Sequence, residues 1–355
     1  MDKISLMKKC LSLARRASGR TSPNPMVGAL LIKDNEIIAK DYHRKSGAPH
    51  AEALVLKEAG DRAKGASLFV TLEPCCHTNK RTPPCTDAVI ASQPKNVFIA
   101  MLDPNPMVSG KGIERLRAAG INVETGILEK EAKRLNEAYI KYITTKRPFV
   151  TLKIAMTLDG KIATPDGESK WITCEESRKF THRLRSKNDG LLSAVGTVIA
   201  DNPSFTARIR GGVNPLRIII DPDLKTPDGF NVLKTPPQTI IVCKDGNPRS
   251  YHLINNGIEI LTYKDKLDLN WLMYELGKRQ IMSLMIEGGQ SLAGHALEET
   301  IVDKVICFIA PKIIRGKESF PAVGGNTFRN INEAHQLKDT TVRNIGCDVL
   351  IEGYL

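Results

Sequence analysis

A chain of 355 residues, 41% hydrophobic and 25% charged, is long enough for two folded domains with separate hydrophobic cores. No stretch approaches the roughly 18 uninterrupted apolar residues a bilayer crossing needs, so no membrane partner is expected. The formal charge of +12 is concentrated in residues 1–146, which hold 24 Lys/Arg against 15 Asp/Glu; with few aromatics and no long basic run, this suits a small anionic substrate better than nucleic acid.

The chain opens on a basic amphipathic helix, with Ile4, Met7, Leu11 and Ala14 at helical spacing and Gly19 placed to stop it. MVGALLIK and EIIAKDY then flank Asp34-Asn35 as a hairpin. A helix follows near His50 (AEALVLKEA), then a strand SLFVTLE, a helix TDAVIAS, a strand NVFIAML, a helix GIERLRAAG and a strand INVETGI. This alternation predicts one α/β domain. A single long polar helix, EKEAKRLNEAYIKYITT, leads to a domain boundary at Lys146, so the domains are residues 1–146 and 147–355.

The second domain opens on the strand FVTLKIAMT and a charged helix, CEESRKFTHRLRSKND. Strands are predicted at GLLSAVGTV, LRIIID, TIIVC, IEILTY, SLMIEGG, KVICFIAPK and CDVLIEGYL, with a helix at LNWLMYELGKR. It is again α/β. The eight cysteines are scattered apart from 75, 76 and 85, and Cys243 and Cys307 lie in apolar strands as small hydrophobes. Such usage is no disulfide framework and predicts a reducing, cytoplasmic compartment.

Chemistry concentrates in the first domain. His50-Ala51-Glu52 followed by Pro74-Cys75 supplies the first half of the H-x-E then P-C-x-x-C pattern of zinc deaminases. These need three protein ligands with a fourth position open to water, and a nearby carboxylate that moves protons without binding metal. Thr78 stands where the pattern asks for a second cysteine. Cys76, His77 or Cys85 could complete the set. Neighbouring Cys75 and Cys76 project apart, whereas Cys85 follows Pro84 and opens a helix, where unpaired N–H groups favour a thiolate. Cys85 is therefore the expected third ligand, with His50 and Cys75. A purely structural zinc would leave Glu52 without a purpose.

HAE, TLEPCCH, RTPPC, TSPNPMVGA and DPNPMVSGKG together resemble the deaminase half of the bifunctional riboflavin-biosynthesis pyrimidine deaminase/reductase, a cytidine-deaminase-like fold. The resemblance assigns His50, Cys75 and Cys85 to zinc and Glu52 to proton transfer. It implies that the long gap between cysteines is a substrate loop, and places Asn24, His43, His77 and Arg81 around the pyrimidine and its phosphate. The stretch from His77 to Thr82 is one residue longer than is common, so Lys80 could share Arg81's role.

The second domain has no GxGxxG, P-loop or second metal cluster, and Gly288-Gly289 after an apolar strand is by itself a weak phosphate signal. TLDGKIA, GESKWIT, AVGTVIADNPSFTAR and IEGGQSLAG nevertheless resemble the reductase half of the same enzyme, a dihydrofolate-reductase-like fold. The resemblance implies NADPH at Ala155, Trp171, Thr197, Asp201, Gly288 and Gly289. It places the phosphorylated sugar near Lys153, Ser169, Arg185, Phe205, Arg208 and Glu287.

The implied function is hydrolytic removal of the 2-amino group of 2,5-diamino-6-(5-phosphoribosylamino)pyrimidin-4(3H)-one, then NADPH reduction of the ribosyl to a ribityl chain. The expected partners are this ribotide and further copies of the chain as a homo-oligomer, with no nucleic acid. One alternative is a nucleic-acid-editing zinc deaminase, against which the RTPPC loop and the reductase segments argue. The other is a non-catalytic zinc and NADPH sensor, against which the intact Glu52 argues.

Overall fold

The computed structural model describes residues 2–77, 83–234, 236–326 and 330–355. It divides into two compact units, Met1–Lys146 and Arg147–Leu355. Among the described residues no helix is long and apolar enough to cross a membrane.

In the first unit the helices are α1 (Lys3–Arg15), α2 (Ala51–Ala59), α3 (Cys85–Ala91), α4 (Lys111–Ala118), α5 (Glu129–Leu135) and α6 (Glu137–Thr145). Strands β1 (Gly28–Lys33), β2 (Glu36–Tyr42), β3 (Ser67–Val70), β4 (Asn96–Ile99) and β5 (Asn122–Thr125) form one sheet in the order β2-β1-β3-β4-β5. Strand β1 is antiparallel to both neighbours, and β3, β4 and β5 run parallel. Asp34 and Asn35 both take positive φ, 48° and 63°, the pair of left-handed residues a tight hairpin turn requires. Four consecutive β1 residues, Gly28 to Leu31, are buried, so both faces of this strand are covered.

Two expectations change here. The buried stripe of α1 is Leu6, Met7, Cys10, Leu11 and Ala14, while Ile4, the second residue of the helix, precedes that stripe and is 53% exposed. The long polar helix is two helices meeting at Asn136, whose backbone (φ −108°, ψ 22°) leaves the helical region. The buried Asn136 amide accepts from Met26 N at 2.8 Å and donates to Met26 O at 3.0 Å, a two-bond bracket that fixes the break.

The second unit contains β6 (Phe149–Thr157), β7 (Lys161–Ala163), α7 (Glu175–Lys187), β8 (Gly190–Ala194), α8 (Val195–Asp201), β9 (Leu216–Ile220), β10 (Thr239–Lys244) and α9 (Arg249–Asn255). It continues with β11 (Glu259–Tyr263), α10 (Leu269–Lys278), β12 (Ser283–Ile286), α11 (Gln290–Glu298), β13 (Lys304–Ala310), β14 (Phe320–Pro321), β15 (Lys338–Ile345) and β16 (Asp348–Tyr354). Nine strands form one sheet in the order β11-β10-β9-β8-β12-β6-β13-β16-β15, parallel through β13 and antiparallel at the β16 and β15 end. Alternate residues feed two cores. Leu192, Ile218, Ile220, Ile240, Val242 and Ile286 enter one, while Leu191, Ile219, Ile241 and Met285 enter the other. A sheet covered on both faces favours apolar residues on both sides of a strand, which explains the runs Ile218–Ile220 and Ile240–Cys243.

GLLSAVGTV is not one strand. It pairs only as far as Ala194 and then turns into α8, with Val198 buried in the core. The sequence reading also left out α11 and the solvent-exposed edge strand β15.

Candidate active sites and family membership

In the first unit three separate chain segments converge. His50 is the N-cap of α2, Cys85 opens α3, and Cys75 follows the end of β3. His50 Nδ1 lies 3.2 Å from Cys85 Sγ and 3.5 Å from Cys75 Sγ. Tetrahedral zinc with ordinary bond lengths would hold such atoms about 3.5–3.8 Å apart. The two thiols and the imidazole therefore fit zinc in donor type and in spacing.

Glu52, in the first turn of α2, is 3% exposed, and its carboxyl is pushed above the ordinary range by burial and by the Cys75 sulfur. His43 is buried beside His50, ring centroids 5.3 Å apart, and burial lowers its pKa. Its Nδ1 is 3.1 Å from Pro49 O, which can only accept, so the neutral ring carries its proton there and Nε2 accepts from Asn24 Nδ2 at 3.1 Å. Asn24, His43 and His50 are thus one contiguous row. His77 is half-buried at the end of the described segment; Lys80 and Arg81 lie outside the described residues.

The sequence reading passed over Glu73. It is 2% exposed, and its carboxylate accepts four backbone N–H groups, from Gly112 (3.0 Å) and Ile113 (3.3 Å) at Oε1, and from Gly110 (3.0 Å) and Asp103 (3.2 Å) at Oε2. A Cβ on Gly112 would fall 2.3 Å from Pro74 O, so the start of α4 sits directly on the peptide leading into Cys75. Arg115 of α4 adds a bond from Nη1 to Cys76 O at 3.0 Å. Cys76 spends its carbonyl on this bracing, and its sulfur is not part of the His50, Cys75, Cys85 group.

In the second unit Glu287, just beyond β12, receives a forked ion pair from Arg185 of α7: Nε to Oε2 at 2.9 Å and Nη2 to Oε1 at 2.7 Å. Lys153 Nζ of β6 stands 3.7 Å from the same Oε1. Burial alone would raise the Glu287 pKa, but Arg185 and Lys153 reverse this and hold it at about 2. Burial pushes the Lys153 pKa down, with Glu287 opposing. The Arg185 guanidinium lies 5.7 Å from the Phe205 ring, and its Nη1 donates to Thr206 O at 3.2 Å. Arg208 is exposed, and its backbone N–H lies 3.4 Å from His182 Nδ1.

Gly288 and Gly289 join β12 to α11, and Gly289 N donates to Thr197 Oγ1 at 3.1 Å. Ser193 Oγ, beside Gly288, is buried with no hydrogen-bond partner among the described residues, and a Cβ on Gly196 would meet none of them within 4 Å. An unsatisfied hydroxyl and open space at the carboxyl ends of parallel strands, against a helix N-terminus, fit a phosphate-bearing dinucleotide. Ser169 Oγ lies 3.4 Å from Asp201 Oδ1, and Lys170 is 3.6 Å from the same oxygen. Ala155 lies in β6 opposite Phe308. Trp171 is 63% exposed, its ring covered on one side by Arg178 at 4.5 Å, so it is not core.

Comparison with known proteins accounts for both units. The family model of the cytidine and deoxycytidylate deaminase zinc-binding region matches residues 1–101, and that of the RibD C-terminal domain matches residues 148–351. The riboflavin biosynthesis protein RibD of Aquifex aeolicus is 46% identical over 97% of this chain and 96% of its own. Acinetobacter baumannii RibD superposes with a TM-score of 0.91 at 34% identity, covering 99% of this chain and 98% of its own. The diaminohydroxyphosphoribosylaminopyrimidine deaminase/5-amino-6-(5-phosphoribosylamino)uracil reductase of Thermotoga maritima does so at 0.90 and 37% identity, with the same coverage. The first unit is accordingly cytidine-deaminase-like and the second a dihydrofolate-reductase-like RibD reductase. The chain belongs to the RibD family, bifunctional zinc deaminases and NADPH-dependent reductases of riboflavin biosynthesis.

Proposed function

We propose that residues 1–146 deaminate 2,5-diamino-6-(5-phosphoribosylamino)pyrimidin-4(3H)-one, and that residues 147–355 reduce the product's ribosyl group to ribityl. The single observation carrying this is the convergence of His50, Cys75 and Cys85 around buried Glu52, in the same chain as the Arg185–Glu287–Lys153 pocket. When bound by His50, Cys75 and Cys85, zinc lowers the pKa of a coordinated water toward 7. Glu52 takes a proton from the attacking water at its carboxylate and returns it to the departing amine. Asn24 and His43 present a fixed hydrogen-bonding edge to the pyrimidine, and His77, with Arg81 or Lys80, is assigned to the phosphate.

NADPH, when bound, would supply the hydride that reduces the sugar's first carbon in its opened imine form. The Gly288-Gly289 turn, Thr197, Asp201, Ala155 and Trp171 hold the dinucleotide in this reading. Glu287 remains a carboxylate, so it accepts bonds from sugar hydroxyls; Lys153, with its ammonium destabilised by burial, bears the proton beside it. Ser169, Arg185, Phe205 and Arg208 complete the sugar phosphate contacts. The reading includes a cytoplasmic homo-oligomer with no nucleic-acid partner.

The test incubates purified protein with the diaminopyrimidine ribotide, with and without NADPH. Ammonia release alone, followed by NADPH oxidation when both are present, is expected. NADPH oxidation without prior ammonia release would overturn the assigned order.

A further inference from the structure

Outside both sites, Cys174, Cys347 and Asp348 place two thiols and a carboxylate with all three ligand atoms within 4.8 Å of one another. Each is held there by the fold. Cys174 is the N-cap of α7, and its N–H donates to Asp348 Oδ2 at 2.8 Å, which turns that carboxylate toward the helix start. Cys347 is the second residue of the two-residue turn joining β15 to β16, closed by the pairing of Ile345 with Asp348. Gly346, the first turn residue, has φ 58°, a conformation glycine takes without strain. Cys347 Sγ then lies 3.7 Å from Asp348 Oδ1.

We propose that Cys174, Cys347 and Asp348 form a second metal site, for a thiophilic divalent cation of the zinc class. Two sulfurs and one oxygen are a donor set zinc accepts, and their mutual separations, all within 4.8 Å, approach the roughly 3.5–3.8 Å between zinc ligands. The surroundings carry negative charge that complements a cation. A Cβ on Gly346 would fall 2.7 Å from Glu176 Oε2 and 2.8 Å from Cys174 Sγ, so a second carboxylate overhangs the same turn. Asp348 and Glu176 place negative charge beside both thiols, and a divalent cation bound there would offset that charge while its binding releases the thiol protons. Occupancy would fasten the start of α7, the helix carrying Arg185, to the β15–β16 turn.

The full-length reduced protein is stripped with chelator, reloaded with Zn²⁺, gel-filtered, and its metal measured by elemental analysis. About two zinc ions per chain are expected in the wild type and about one in Cys347→Ser and in Cys174→Ser. Deaminase activity should be unchanged in both variants. Because Cys347 is exposed, its alkylation by iodoacetamide should be fast in the stripped protein, slow after zinc loading, and fast again when chelator is added. One zinc per chain in the wild type, with Cys347 alkylated equally fast in all three states, would overturn the proposal. So would a second zinc that persists in Cys347→Ser, or recovery of a Cys174–Cys347 disulfide peptide from protein that takes up no second zinc.

Discussion

Replacing Glu73 with glutamine tests how the zinc bend is held. The substitution keeps size and shape, so no cavity forms, yet one of the two acceptor oxygens becomes an NH₂ donor. Whichever way the amide turns, two of the four backbone N–H groups lose their acceptor: Gly112 and Ile113, or Gly110 and Asp103. Bonds to a charged acceptor contribute about 1.5–3 kcal/mol each, and a buried donor left facing another donor recovers little of this. Allowing for local relaxation, the loss is about 3 kcal/mol. For a unit of 146 residues that corresponds to a fall in Tm of roughly 6–12 °C. Amide exchange at Gly110, Gly112 and Ile113 should accelerate, and because α4 rests on Pro74 O, zinc should be lost to a competing chelator faster than from the wild type. NADPH oxidation with the already deaminated substrate should persist, which separates this effect from global unfolding. An unchanged Tm together with unchanged zinc retention would refute the clamp.

Glu52→Gln should retain zinc by elemental analysis and lower ammonia release at least about 100-fold, the contribution of a positioned proton carrier; near-normal turnover would refute its role. Arg217→Met should destabilise the protein by about 3–5 kcal/mol in urea unfolding. The fully buried Arg217 guanidinium donates to Thr239 Oγ1, Asn231 O, Lys234 O and Pro237 O, each of which would lose that donor. The Glu287 carboxyl is depressed from 4.5 to about 2 in the folded chain, so its stabilising contribution is complete above about pH 4.5 and is lost as pH falls toward 2. Glu287→Gln should therefore flatten stability against pH across that window, as read by urea midpoints; a slope equal to that of the wild type would show that the ion pair does not titrate there.

The zinc trio was legible because metal binding demands particular side chains, and histidine and cysteine at positions 50, 75 and 85 leave little else to explain them. Glu73 was not, since its four partners are backbone amides 30 to 40 residues downstream and backbone leaves no mark in sequence. Arg217 was hidden for the same reason: at the start of LRIII it reads as a polar strand end, and its main partners are carbonyls of the loop that follows. VGTVIAD misled because valine, threonine and isoleucine favour strands, whereas packing of Val198 beneath α8 decides the outcome. The exposed residues of β15 carry no apolar alternation, and that strand exists because β16 offers it a ladder.

The Arg185–Glu287–Lys153 cluster has an odd number of charges. With all three ionised, the pair closes on itself and one positive charge is left over inside the protein, at the expense of the Lys153 ammonium. An anion is the species that can balance it. A phosphorylated substrate entering this pocket would therefore do more than occupy it, because its own charge would firm the protonation of Lys153 at the moment the sugar arrives. An uncharged sugar of the same shape would leave that excess positive charge unbalanced, so under the proposed function the cluster is expected to prefer a phosphorylated substrate.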